Sequence, residues 1–406
     1  MFEQLERRAA PAAQAKGGGF GPVFAANGFI GFVFAATAPL AVILSAGTQG
    51  HLSEAQLASW VFGVFFINGA ISTLLCWWYR QPLALFWTIP GTVLVGPALQ
   101  HLSFAEVVGA YYVAGAAVLA LGAMGWVRRA MQFVPMPIVM AMVAGVFLRF
   151  GLGLVNSLHD DLAIAGPMVG AWLVLTAIPA WGRRVAPLIG ALVAGAVSTM
   201  LLHRLGPDAL GAWKIVLPLV QAPAWSWSAM AELVLPLIIT VLVVQNGQGI
   251  AMLRAAGHNP PVNVLTVMCG VGSLLTAAVG AVSSCLAGPT NAILTSSGDR
   301  ALQYKAGMYT GLLAMFFGLF APAFTRLMLH LPPAYVATLA GLAMLRVLQG
   351  AFRVSFSGPC PVGALVALLV TVSDRPLLGV GSAFWGLAAG LATSWLLERG
   401  DLRQGA

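Results

Sequence analysis

The stretch Ala287-Gly288-Pro289-Thr290-Asn291 interrupts an otherwise apolar segment, and Thr88-Ile89-Pro90-Gly91-Thr92 makes a similar break in the first half of the chain. Lipid cannot hydrogen-bond an exposed backbone. A helix therefore starts at membrane depth only where protein or a water-filled cavity satisfies its free N–H groups. Carriers built from internal repeats place their substrates at such paired breaks.

The composition around the breaks is that of a membrane protein. Hydrophobic residues make up 59% of the 406 and charged residues 8%, against roughly 25% charged in a soluble domain, and the mean hydropathy is +0.89. Apolar runs long enough to cross the hydrocarbon recur from Pro22 to Leu397, which leaves nothing for a sizeable soluble domain. Cys76, Cys269, Cys285 and Cys360 show neither CxxC nor zinc-type spacing and read as small core residues. The polar first 19 residues lead directly into a full-length span, so Arg7-Arg8 reads as an orientation signal in a cytoplasmic tail over residues 1–20. The net charge of +8 comes from basic residues scattered through loops, which argues against a nucleic-acid partner.

Reading apolar runs against breaks places seven spans near Pro22–Ala46, Gln56–Trp78, Pro82–Gln100, Phe104–Val127, Val134–Leu158, Ala165–Trp181 and Ala186–Leu205. Seven more follow near Ala229–Ala256, Pro261–Val282, Cys285–Gly298, Gln303–Leu329, Pro333–Leu348, Val362–Val372 and Leu378–Leu397. With both termini cytoplasmic, fourteen Lys and Arg fall inside and four outside, which agrees with the positive-inside rule. The linker over 207–228, with Trp213, Trp225 and Trp227, is then external. Pro137-x-x-x-Ala141-x-x-Ala144-Gly145 recurs as Pro333-x-x-x-Ala337-x-x-Ala340-Gly341, and Pro90 matches Pro289 at nearly the same shift. The fold class expected is an all-α polytopic membrane protein of 14 segments in a 7+7 inverted repeat, because an odd count inverts the second copy. Its third and tenth segments are each a short extended piece followed by a half-helix.

The half-helix N-termini face each other in this reading, each with free N–H groups and partial positive charge. Thr88, Thr92, Thr290 and Asn291 are the side chains placed to cap or bind there. The eighth span adds Gln245-Asn246-Gly247-Gln248-Gly249, with Gln245, Gln248 and Gly249 on one face by helical spacing. These amides contact either substrate or neighbouring helices. Asn27, with Phe32 nearby, is the polar intrusion of the first span and is equally structural or functional. No carboxylate sits at the centre of a span, so a neutral site beside positive helix ends suits an anion, best a small aromatic carboxylate. Arg149 and Arg346 lie within spans and either snorkel to an interface or gate the path. Gly307-x-x-x-Gly311 reads as close helix packing. No nucleophile elbow, P-loop, dinucleotide fingerprint or metal-ligand pattern is present, and neither enzyme chemistry nor a cofactor or metal is expected.

Gln245-Asn246-Gly247-Gln248-Gly249, Gly257-His258-Asn259-Pro260-Pro261 and Gly288-Pro289-Thr290-Asn291 together resemble the bacterial benzoate transporter family, benzoate–proton symporters of the BenE type, over nearly the whole chain. That family is similar in architecture to uracil permease-type nucleobase carriers. The resemblance implies a core domain (21–128 and 229–330) and a gate domain (129–206 and 331–406), with substrate between them and elevator-like alternating access in the bacterial inner membrane. It also implies proton coupling, and a homodimer is plausible for the architecture. Nucleobase carriers have acidic residues in the eighth and tenth segments, where this chain has Gln245/Asn246 and Thr290/Asn291; a proton would then reside on Asp299, on Glu106 or on the substrate. Asp299 serves equally as a solvated partner of Arg300. The other readings are a nucleobase or inorganic-anion carrier of the same fold and an anion channel.

Overall fold

The computed structural model describes residues 22–127, 135–182, 185, 187–204, 214–296, 298–375, 377 and 382–404. Helix α1 (Pro22–Gln49) and α2 (Glu54–Tyr79) lead to strand β1 (Leu85–Trp87), the half-helix α3 (Ile89–Ala98) and α4 (Phe104–Ala123). Helices α5 (Met136–Asp160), α6 (Leu162–Ala177) and α7 (Pro187–Leu201) follow. The second half runs α8 (Trp227–Ala255), α9 (Val262–Ala278), strand β2 (Ser284–Leu286), half-helix α10 (Gly288–Leu294), α11 (Tyr304–Leu319), α12 (Ala321–Leu329), α13 (Pro333–Phe356), α14 (Pro361–Val372) and α15 (Ser382–Leu397).

Among the described residues five helices are long and apolar enough to cross a membrane, namely α1, α2, α4, α5 and α8, and the bent pair α11–α12 would make six. The sequence reading takes Gln303–Leu329 as one span. In the structure it bends by 75° around Phe320. Pro322 has no N–H to give to the preceding turn, and a new helix that begins at Ala321 places it in the first turn, where proline is tolerated. Trp213 lies outside the described residues. The linker from Lys214 is an extended strap: Val216 N–H donates to Leu319 O, Gln221 N–H to Ala278 O and Ala224 N–H to Ala105 O, so it ties three helix ends together. Trp225 and Trp227 are exposed along it.

Small residues let the helices approach closely. A Cβ on Gly69 would sit 2.6 Å from Gly311 O, and one on Gly311 would sit 2.7 Å from Gly69 O, so α2 and α11 touch backbone to backbone. Gly307 faces Cys76 in the same contact, in agreement with the packing role read from the sequence. Where α4 meets α9, a Cβ on Gly270 would lie 2.5 Å from the Leu119 backbone. Association in lipid relies on such contacts because the hydrophobic effect does not drive it.

Gly270→Leu is expected to lower the melting temperature and folded yield in detergent sharply. Gly153→Ala, where nothing lies within 4 Å of the added carbon, should leave both unchanged; equal behaviour of the two variants would contradict the packing account.

Candidate functional site

Each break is a strand followed by a half-helix, and the two strands pair antiparallel, with Leu85 opposite Leu286, Phe86 opposite Cys285 and Trp87 opposite Ser284. Thr88 N–H donating to Ser283 O and Ala287 N–H donating to Ala84 O extend the ladder at both ends, each at 3.0 Å. The outer edges of this small sheet are closed by helix side chains. Ser72 Oγ accepts from Leu85 N–H and donates to Leu85 O (2.8 and 3.0 Å). Ser273 Oγ accepts from Ser284 N–H (3.0 Å), and Asn246 Oδ1 accepts from Leu286 N–H (2.8 Å). Asn291 bridges the crossing: its Oδ1 accepts from Ala84 N–H (3.0 Å), and its Nδ2 donates to Ala84 O and Ala287 O (3.0 and 2.8 Å).

The two half-helices start differently. Thr88 caps α3, its hydroxyl accepting from Gly91 N–H (3.1 Å), and Thr92 donates back to Thr88 O (2.9 Å). Both threonines are fully buried and engaged in local bonds. The N-cap of α10 is Ala287, which has no side chain to cap with, and Pro289 occupies the first turn. Gly288 and Thr290 therefore keep N–H groups without helical partners.

Two cavities meet at that end. One of about 20 Å³ is lined by Phe34, Phe86, Trp87, Gln245, Pro289 and Thr290 among others. It has room for about one water. The Gln245 amide and Thr290 hydroxyl are buried and have no hydrogen-bond partner among the described residues, and the Trp87 indole N–H also lacks one. The other cavity, of about 1090 Å³, runs between α1, α8 and α10 on one side and α5, α6, α7 and α13 on the other. Its wall is mostly apolar, including Ile30, Phe34, Met140, Leu188 and Met252, with Trp172, Thr176 and Gln248 as its polar side chains. The Thr176 hydroxyl is without a partner among the described residues. Neither cavity has an Asp, Glu, Lys or Arg among its described lining residues.

The structure thus divides the residues named from sequence. Gln245, Gln248 and Thr290 border the cavities, whereas Asn246, Asn291, Thr88 and Thr92 hold backbone in place. The single face expected for Gln245, Gln248 and Gly249 is split by a π-helical turn over Thr240–Asn246. Gln245 lines the small cavity, Gln248 the large one, and Gly249 abuts Leu286. Asn27 is buried in α1 and lines neither cavity. Phe32 packs into the core, 5.7 Å from Phe317 and 6.5 Å from Phe65 between ring centres, and Phe34 faces the cavities instead.

Glu106 is the carboxylate of a capping box: its Oε2 accepts from Ser103 N–H at 2.8 Å. Asp299 is exposed and caps a short turn by accepting from Ala301 N–H (3.0 Å), while Arg300 donates to Gly257 O (3.1 Å). Arg149 pairs with Asp374 (2.9 Å). Arg346 lies in α13, and its side chain is outside the described residues. In the turn after α8, burial pushes the His258 imidazole below its ordinary value, and its Nε2 lies 2.8 Å from Gln303 Oε1. The cavity walls escape sequence reading; Glu232 stands out there, with Glu106 and Asp299, only as a carboxylate near a segment end, and its burial, at 5% exposed, is not visible. Apolar lining residues look like any membrane-helix residue.

Apolar helices crossing around a broken pair of segments, with a large cavity leading to the break, define a membrane transporter. The family model for the benzoate membrane transport protein matches residues 20–396, and the chain belongs to that family. It is 32% identical to the inner membrane protein YdcO of Escherichia coli (strain K12), over 89% of this chain and 93% of that one. It is 28% identical to the benzoate membrane transport protein of Acinetobacter baylyi (strain ATCC 33305 / BD413 / ADP1), over 91% and 94% of the two chains. Among solved structures, the transmembrane domain of a cyanobacterial bicarbonate transporter, BicA, matches with a TM-score of 0.58 at 15% identity, covering 90% of this chain and 97% of that one. SLC26A9 matches with a TM-score of 0.63 at 12% identity, covering 91% and 64%. These likenesses establish a transporter fold, and the chain is a multi-pass protein of the bacterial inner membrane.

Asn291→Ala removes three buried hydrogen bonds and should cost about 2–4 kcal/mol of stability. Gln245→Ala, which removes none, should leave the melting curve of purified protein within a degree or two of the parent. A reversed ranking would contradict the assignment of roles.

Proposed function

We propose that this chain is a secondary active transporter that imports benzoate or a related small aromatic carboxylate together with protons. The observation that carries the reading is a neutral site: unpartnered donors at Gln245, Thr290 and Trp87 beside the uncapped start of α10, at the head of an apolar cavity. Helix N-termini and neutral donors attract an anion without the cost of a neighbouring carboxylate. The apolar wall suits an aromatic ring. In this reading Gln245, Gln248 and Thr290 contact the carboxylate, and Asn246, Asn291, Thr88 and Thr92 hold the backbone that surrounds it. The name of the Acinetobacter relative supports benzoate as the aromatic acid.

The 14-segment 7+7 inverted repeat belongs to the same proposal, as do the likeness to uracil permease-type carriers and a homodimer. Core and gate domains then follow the divisions of the sequence reading, with the large cavity between them. Its lining includes Met252, two residues before Arg254, and Val354, which follows Arg353. The positive-inside rule puts those arginines in the cytoplasm, so the cavity opens inward and both termini are cytoplasmic. Elevator-like movement of the core would carry the site to the outer face. The pinched small cavity of about 20 Å³ favours a carrier over an open anion channel.

Purified protein in proteoliposomes should take up labelled benzoate saturably, faster with an inward proton gradient, and cold uracil or bicarbonate should compete poorly. Gln245→Ala and Thr290→Val should each raise KM about tenfold, the loss of one hydrogen bond to a charged group. Strong competition by uracil or bicarbonate would replace benzoate as substrate, and currents far above carrier turnover would make the protein a channel.

A further inference from the structure

The large cavity has more room than benzoate fills. At about 1090 Å³ it reaches the upper limit of pockets that hold drug-sized ligands, roughly 300–1,000 Å³. Gly350 lines it from α13, and an added Cβ there would have nothing within 4 Å. On the wall opposite α10, helix α6 contributes Trp172 and, one turn further and on the same face, Thr176.

Thr176 departs from the other threonines of the bundle. Thr92, Thr199, Thr310 and Thr371 are buried in helices, and each donates to the carbonyl four residues earlier at between 2.7 and 3.1 Å. The Thr176 oxygen is buried yet makes no such bond, to Trp172 O or to any other group among the described residues. Thr325 and Thr338 also lack partners there, but neither lines the large cavity. A buried hydroxyl left unpaired costs free energy, which a ligand recovers by pairing with it. Threonine has two χ1 wells open to it in a helix, so a turn about that bond brings the oxygen to the cavity surface.

We propose that Thr176 reads a hydroxyl group on the substrate ring, at the edge opposite the carboxylate, so that the acids carried include hydroxylated benzoates such as 4-hydroxybenzoate. With the carboxylate at the start of α10 and the ring on the apolar wall, the para position is the one that faces away from α10 toward α6. A phenolic hydroxyl both donates and accepts, as the threonine hydroxyl does, and Trp172 beside it offers the ring an aromatic neighbour. A second carboxylate at that edge would need a cation, and no Lys or Arg lines the cavity among the described residues. A methyl group of similar size would leave Thr176 unpaired. This inference rests on the aromatic-acid reading above and adds to it what the far wall selects.

Isothermal titration calorimetry on the purified full-length protein measures binding without depending on transport. 4-Hydroxybenzoate should bind about tenfold tighter than 4-methylbenzoate, the factor that one added hydrogen bond to a buried group supplies, and terephthalate should bind more weakly than either. Thr176→Val keeps the shape and removes the hydroxyl, so it should bring the ratio of the first two affinities to about one, the loss of that same bond; Thr176→Ser should retain the preference. Equal affinities for 4-hydroxybenzoate and 4-methylbenzoate in the parent protein overturn the proposal, as does a preference that survives in Thr176→Val. If that variant does not fold, the position of the hydroxyl decides on the parent protein alone: 2-hydroxybenzoate should gain nothing over benzoate, and an equal gain for both isomers would place the contact elsewhere and overturn the proposal. Benzoate binding without a preference for the 4-hydroxyl would sink only this inference, whereas no binding by any of these acids would sink the aromatic-acid reading on which it rests.

Discussion

Everything at the centre of this molecule depends on the crossing of two extended pieces, residues 84–88 and 283–287, in the middle of a helical bundle. Five consecutive residues without helical hydrogen bonds would be prohibitively costly in hydrocarbon. The cost is offset locally. The strands satisfy each other along the ladder, and Ser72, Ser273, Asn246 and Asn291 satisfy groups at their edges. Those four side chains come from α2, α9, α8 and α10, so the crossing also links helices that are distant in sequence.

The crossing fixes where the half-helices start and what they offer. Helix α3 is closed by Thr88, which uses up one free donor. Helix α10 begins at a proline with no side-chain cap, and its first N–H groups are left at the junction of the two cavities. The first break is therefore a scaffold and the second is the open one. A π-helical turn in α8 rotates Gln245 toward the small cavity and leaves Gln248 on the large one, which places amides at two depths along a single approach to α10.

Much of this was legible in the chain before any coordinates. A proline-containing break in an apolar run carries its own backbone argument, and both breaks have the strand and half-helix that it implies. The amide cluster was legible as a location but not as a set of roles. An asparagine that holds backbone, such as Asn246 or Asn291, and a glutamine left unpartnered, such as Gln245, are alike in sequence. Only the tertiary crossing separates them. Glu106 could have been assigned from its spacing alone, since Ser103-Phe104-Ala105-Glu106 is a capping box in pattern. Phe32 and Phe34 show the opposite case: two positions along one helix decide between core and cavity, and apolar residues give no sign of which face the neighbours will cover. Glu232 was hidden because its burial is produced by α3 and α4 packing on α8.

The central claim, that a small aromatic carboxylate binds at the open end of α10 with its ring on the apolar wall, is tested most directly by locating the ligand. The measurement is an experimental structure with 4-bromobenzoate, in which anomalous scattering marks the halogen. The account predicts a carboxylate within hydrogen-bond distance of Thr290 and Gln248 or Gln245, and the bromine among residues such as Phe34, Met140 and Trp172. A halogen peak elsewhere between the helices or on the lipid-facing surface, with the α10 end left to solvent, would contradict it.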